Sequence, residues 1–452
     1  MTSMLLIIIA LITMILFFSF YHAPLSLREP LILWNITNSV GFLLPFSMYF
    51  LLDQSDAFMP MTFRLNLDRH FSSATWLFFC GLLITNAVYC SLRLGLPFIA
   101  QRPASGLLHP REDLPFGPVF FLWLIVWLIG VTLQLSLLGS AIESLTALQT
   151  KSSTFTEGRV HLLLPSMFAG ALKSVVVIAY IIQGRRGFSD RIMFWTAISL
   201  PLLWSFLVGG RMAALLQAVV PLAAVVILRR ATIRWSVIVL VCLFALIVTA
   251  GGLALRSYAQ TSRAGIAMMS SMAASPVVSL AYSFNLLEST SLAWDVYLNE
   301  SVRRMGIIES YANASLPRFV FPDKGPPLQL SMREYLYGDR LGGITVGYYG
   351  EWIYYYGALG VVIGGAVAGF MLWWVASGIQ RAAIWPNAMF LFVPVLFEVT
   401  VSMPRNGAHI VLPALIPLVL TLMSLRLLFG SSVGRSEPGG AGSAGTPSAR
   451  SC

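Results

Sequence analysis

Apolar residues run in long unbroken stretches along this chain, and polar residues fall mostly in the short segments between them. The runs at 235–255 and 410–429 are long enough to cross a hydrocarbon core, which takes roughly 20 helical residues. They read as helices, because a lone strand cannot satisfy its backbone groups in lipid. The same criterion predicts about eleven spans, at 4–21, 31–52, 72–92, 117–139, 162–182, 192–208, 213–228, 235–255, 354–376, 387–402 and 408–429. The first lacks a basic n-region, and Pro24 crowds the small residue Ala23, so it reads as an uncleaved span. The expected fold is an all-α integral membrane protein. Its parts are a bundle of eight spans over 1–255, a large external segment over 256–343, three last spans over 344–429 and a disordered Gly/Ser/Pro-rich tail over 430–452.

The external segment has a periodicity of its own. Leu287, Trp294, Leu298, Val302, Met305 and Ile308 share one helical stripe, with Asp295, Glu300, Arg303 and Arg304 off it. That pattern predicts an amphipathic helix lying across the outer mouth of the bundle. The run from Leu316 to Pro327 is rich in proline, which forces an extended path instead of helix.

Composition excludes a soluble globular fold. Hydrophobic residues make up 57% of the chain and charged residues 11%, with a mean hydropathy of +0.78, whereas soluble domains carry about a quarter charged residues. The net charge of +10 does not point to nucleic acid, because the basic residues sit in short loops between spans. One set of loops holds Arg28, Arg93, Arg102, Arg111, Arg185, Arg186, Arg191, Arg229, Arg230, Arg234 and Arg381. The opposite set holds Arg64, Arg69, Lys151, Arg159, Arg211 and Arg405. The richer set is expected on the cytoplasmic side. That puts the C-terminus in the cytoplasm, with the N-terminus and the 256–343 segment on the external face. Cys80, Cys90 and Cys242 lie in apolar segments without CxxC or metal spacing, and read as small core residues.

Candidate chemistry is defined first by what the chain lacks. No DxD, HExxH or histidine cluster supplies metal ligands, and no Walker-type loop cradles a nucleotide. The expected chemistry therefore uses no metal and no cofactor, and rests on scattered Arg, Glu, His and Tyr at one membrane face. Arg211 follows Gly209-Gly210 between two spans, and Arg405 sits in the turn from Met403 to His409. Arg318, Lys324 and Arg340 fall in the external segment. A span-end Arg ordinarily snorkels to head groups, but one held in a Gly or Pro turn suits a polar path, and its guanidinium fork matches phosphate oxygens.

The stretch from Gly342 to Gly357 combines glycines, a Tyr/Trp belt and one carboxylate, Glu351. Tyr348 and Tyr349 are candidates for an aromatic platform under a sugar face. Glu351 is a candidate general base, or the partner of a neighbouring Arg. His409 is a second acid–base candidate, against the ordinary role of a hydrogen-bonded structural histidine. Gly360, Gly364, Gly365 and Gly369 form a small-residue packing face. Lys173 and Glu398 are the remaining intramembrane charges, with Lys173 expected near an aqueous cavity. The GxSxG match at 430–434 lies in the tail without the strand–turn–helix that a nucleophile elbow needs.

Three motifs together carry a resemblance. Gly209–Arg211 between two spans, Leu316–Lys324 with its Leu-Pro-Arg-Phe run, and Gly342–Gly360 leading through Gly-Glu into the next span resemble the Wzy-type oligosaccharide repeat-unit polymerases. The resemblance covers the second half motif by motif, and the first half only as a succession of spans. It implies a multi-span, metal-independent glycosyltransferase of the bacterial inner membrane, acting on undecaprenyl-pyrophosphate-linked glycans at the periplasmic face. It also implies a lipid bilayer setting, a chain-length regulator and a flippase as partners, and arginines that hold the pyrophosphate. Carried over residue by residue, Arg211 and Arg318 are the pyrophosphate ligands; Arg405 rests on position alone. Glu351 is then the first candidate for the base and His409 the second. The run of tyrosines after Glu351 exceeds the family pattern.

Other functions compete with polymerase. A glycan ligase would use similar chemistry on a different acceptor. A lipid-linked oligosaccharide flippase would be expected to show internal repeats and charges along a midplane path, and the sequence shows no such repeat. A structural subunit without activity does not account for the Arg-bearing turns.

Overall fold

The computed structural model describes residues 30–46, 61–95, 115–136, 164–184, 187–207, 286–299, 306–315, 328–337, 346–382 and 389–429. These form helices α1 (Pro30–Phe46), α2 (Met61–Gly95), α3 (Phe116–Ser136), α4 (Leu164–Gln183), α5 (Phe188–Leu207), α6 (Leu286–Leu298), α7 (Ile307–Ser315), α8 (Leu328–Tyr337) and α9 (Tyr348–Ala382). The chain then runs through α10 (Met389–Phe397), a π-helical turn (Glu398–Ser402), α11 (Met403–Asn406) and α12 (Ala408–Phe429). No strand occurs among the described residues.

Among the described residues, three helices are long and apolar enough to cross a membrane, over Arg69–Gly95, Phe116–Leu135 and Tyr348–Gln380. Their outward faces carry large apolar side chains: Phe121, Ile125 and Leu128 on α3, and Val362, Phe370 and Trp374 on α9. Rows of this kind suit lipid contact and would be an aggregation hazard in water. Helices also lie over the expected spans at 31–52, 162–182, 192–208, 387–402 and 408–429. The spans at 4–21, 213–228 and 235–255 and the tail are outside the described residues.

Two expectations need correction. The ninth span does not begin at 354 as a straight helix. α9 starts at Tyr348 and breaks at Gly357, whose φ of 60° and ψ of −136° are non-helical. Tyr348 donates to the carbonyl of Gly364 at 2.8 Å, and Gly360 and Gly364 lie against Trp352. Both Tyr348/Gly364 and Trp352/Gly360 are centred on residue 356, so the short arm 348–356 folds back along the long arm 358–382. Only the long arm runs on in one direction, and its residues to Gln380 would reach roughly 34 Å. The glycines permit this: Gly365 and Gly369 receive Ile84, Thr85 and Val88 of α2, and Gly364 receives the Trp352 ring.

The second correction concerns the external segment. The expected amphipathic helix ends at Leu298, and the next described helix starts at Ile307. α6 is not laid on a surface; it packs against α2, α9 and α1. Leu298 and Ile308 of the expected stripe are exposed, while Glu288, Ser289, Thr290 and Ser291 are buried. Asp295, off the stripe, faces inward because His70 of α2 and Tyr335 of α8 bind its carboxylate.

The main core gathers α1 to α5, the start of α6, both arms of α9, and α10 to α12 around Trp34, Phe42, Phe78, Phe79 and Trp123. A smaller one joins α6, α8 and the short arm through Leu292, Val296, Leu328, Met332 and Ile353. α12 packs on α4 and α7, which sets its first turn beside the short arm of α9.

Candidate functional site

The site is built where two chain breaks meet. After α11 the chain passes through Gly407 at φ 81°, and its amide caps the carbonyl of Met403 at 3.0 Å. A β-carbon at Gly407 would run into the Glu351 carboxylate and the His409 ring. Glycine is thus required there both by backbone conformation and by the close approach.

α12 starts immediately afterwards, so the amides of Ala408 and His409 lack intrahelical acceptors. Glu351, on the short arm of α9, supplies one. Ala408 N–H donates to Oε2 at 2.5 Å, and His409 N–H lies 3.2 Å from Oε1 and 3.3 Å from Oε2. Such a helix start holds negative charge in place. The His409 Nδ1 is also 3.3 Å from Oε2, though the ring is not aligned for a hydrogen bond. Neither ring nitrogen has a hydrogen-bond partner among the described residues. Glu351 is 0% exposed and His409 2%.

On α7, burial first, and then the charge of Glu351, push the Tyr311 phenol above the ordinary range.

Two sequence candidates take a different role. Tyr348 and Tyr349 are buried, with their rings edge-on to Trp34. The Tyr349 hydroxyl bonds Thr85 Oγ1 at 2.8 Å and accepts from Trp34 Nε1 at 3.3 Å. Both are core residues whose polar tips are already used, so they do not form a sugar platform. Arg405, half-buried on α11, has its Nη1 3.4 Å from Asn406 Oδ1. Arg211, Arg318, Lys324 and Arg340 are outside the described residues. Lys173 is buried on α4, and Glu398 lies on the π-helical turn.

The structure also assembles groups that sequence reasoning passed over. His70 Nε2 meets Asp295 Oδ1 at 2.8 Å, Tyr335 donates to Oδ2 at 2.7 Å, and Asn299 donates to Tyr335 at 3.3 Å. This network pins α6 and α8 to the start of α2. His70 and Asp295 are 225 positions apart, and no local signal links them. Glu288 on α6 is buried with neither oxygen hydrogen-bonded, and burial pushes its carboxyl up to about 8. Tyr311 lay unremarked beside the amphipathic stripe. Among the described residues no group of three or more His, Cys, Asp or Glu could hold a metal ion. No family model, curated protein or solved structure matches the chain.

Proposed function

We propose that this chain is a membrane-embedded glycosyltransferase that joins undecaprenyl-pyrophosphate-linked oligosaccharide repeat units, with His409 as the base and Glu351 as the group that orients it. The observation that carries this is the buried meeting of Glu351 and His409, 58 positions apart, at the start of α12. The oxygens of Glu351 already accept two backbone amides, which suits the carboxylate to holding and not to proton transfer. Nδ1 of His409 lies 3.3 Å from Glu351 Oε2, which leaves Nε2 for a substrate hydroxyl. A carboxylate beside an imidazole is the arrangement that orients the ring and balances the imidazolium it becomes.

In the proposed step the acceptor hydroxyl donates to a ring nitrogen of His409. Its oxygen attacks the anomeric carbon of the donor glycan while the proton passes to the imidazole. The new glycosidic C–O bond forms as the bond to the pyrophosphate breaks, and the electron pair leaves with the lipid pyrophosphate. That leaving group needs cations for its developing charge. Arg211, Arg318, Lys324 and Arg340 are assigned to it from sequence, with Arg405 four positions before His409. The eleven-span architecture, the periplasmic site and the inner-membrane location belong to the same proposal; the motif resemblance and the lipid-suited helix faces support them.

The test is deletion in the native bacterium, with lipid-linked and surface glycans resolved on gels. Complementation uses wild type, His409→Ala, Glu351→Gln and Arg211→Ala, each checked for membrane expression. Surface glycan should stop at one repeat unit, and only wild type should restore the ladder. Long lipid-linked polymer that never reaches its acceptor would mean a ligase. Unchanged glycans would remove the carbohydrate assignment.

A further inference from the structure

Tyr348 and Tyr349 belong to the core, and the fold places a different aromatic group near the site. α6 runs in the same direction as the short arm of α9, because the Ser289 carbonyl meets Gly350 and the Tyr297 ring meets Gly357. The end of α6 is thereby held at the bend of the hairpin. There Trp294 and Tyr297, one turn apart on α6, lie with ring centroids 5.7 Å apart and planes within 15° of parallel. Both are half-buried, and Tyr356, next to Gly357, is 39% exposed. Glu351 lies six residues before Gly357 on the same arm, roughly 9 Å away along its axis.

We propose that Trp294 and Tyr297, with Tyr356 beside the bend, form a glycan-binding surface that holds sugars of the oligosaccharide away from the bond being made. The apolar C–H face of a pyranose packs on an aromatic π face. Rings held parallel support each other, and Tyr297 is braced further by the bend at Gly357, where φ is 60°. Asn299 and Tyr335, half-buried at the same end of α6 and joined at 3.3 Å, add the few polar groups that such a surface needs to orient a sugar. A membrane-interface belt is the ordinary role of Trp and Tyr beside a span, but a belt requires neither parallel rings nor a ring braced on a bend. The inference rests on the reading of the chain as acting on a lipid-linked glycan, and adds a subsite to it.

The experiment is saturation-transfer NMR on the full chain in detergent. The probe is the oligosaccharide released by mild acid from the native bacterium's surface glycan. Wild type should transfer saturation to the sugar C–H protons. Trp294→Ala should weaken binding about fivefold to tenfold, the range expected for one lost aromatic contact, while Trp294→Tyr keeps most of it. Tyr356→Ala, at an exposed position, should weaken binding severalfold and keeps the test decisive if Trp294→Ala does not fold. No transfer in wild type, or unchanged binding in both Ala variants, overturns the proposal and leaves the aromatic group as an interfacial anchor. Binding needs no turnover, so the two readings fail separately. A glycan ladder unchanged by gene deletion removes the polymerase reading, whereas a ladder lost on deletion with no binding here removes only this surface.

Discussion

Glu351→Ala removes the acceptor for the first two amides of α12. With the carboxylate gone, Ala408 N–H and His409 N–H are left facing a buried void. Each buried donor left unsatisfied costs about 1–3 kcal/mol, so the two amides alone predict a loss of roughly 2–6 kcal/mol. That is a large share of the roughly 5–15 kcal/mol by which folded proteins exceed their unfolded state. Glu351→Gln keeps one acceptor oxygen but gives up charge assistance, and should lose about half as much. The assay is thermal unfolding of the purified chain in detergent, followed by its tryptophan fluorescence, with hydrogen exchange at residues 408 and 409. Ala should melt lowest, Gln between, and exchange at the two amides should speed up in the same order. If the Ala variant melts with wild type and those amides stay protected, the carboxylate does not cap α12 and its place beside His409 loses its structural basis.

Lys173→Met replaces a buried ammonium with an apolar side chain of similar length. It should raise the melting temperature in the same assay, because burying a charge is costly; a lower melting temperature would refute this. Glu288 gives a pH dependence. Its carboxyl is held up to about 8 from the usual 4.5 by burial, so the unfolded chain ionises first as pH rises. Its contribution is full below about pH 4.5 and declines toward pH 8. Glu288→Gln should flatten that decline in unfolding curves across this range, and an unchanged slope would assign it elsewhere. His70→Ala or Asp295→Asn should loosen α6 and α8 from α2 by about 1–3 kcal/mol, seen as faster exchange confined to those helices. Uniform protection in both variants would count against the network as their anchor.

Much of the helical framework was legible before any coordinates. The final span expected at 408–429 coincides with α12 (Ala408–Phe429), and α3 lies within a few residues of the expected 117–139. Apolar length alone marks such segments. The break at Gly357 was not legible, because a glycine at the start of an apolar run looks like any interfacial glycine. Only the packing of Trp352 onto Gly360 and Gly364 shows that the chain reverses there. The tyrosines mislead for a related reason. A Tyr/Trp cluster at a span entrance fits an interfacial belt, and nothing local reveals that Trp34 and Thr85 stand ready to receive Tyr349.

Glu351 and His409 were each visible as rare polar groups beside long apolar runs, but as rivals for one role. The fold brings them together, with Nδ1 of His409 3.3 Å from the Glu351 carboxylate. What the sequence by itself determined was a helical chain with apolar segments long enough to cross a membrane, since the need for roughly 20 apolar residues is met locally. The tertiary structure alone decided which polar groups meet: Glu351 with the start of α12, and His70 with Asp295. Those pairings depend on which faces of distant helices pack together, and a buried polar group must find its partner there because the core offers no water to take its place.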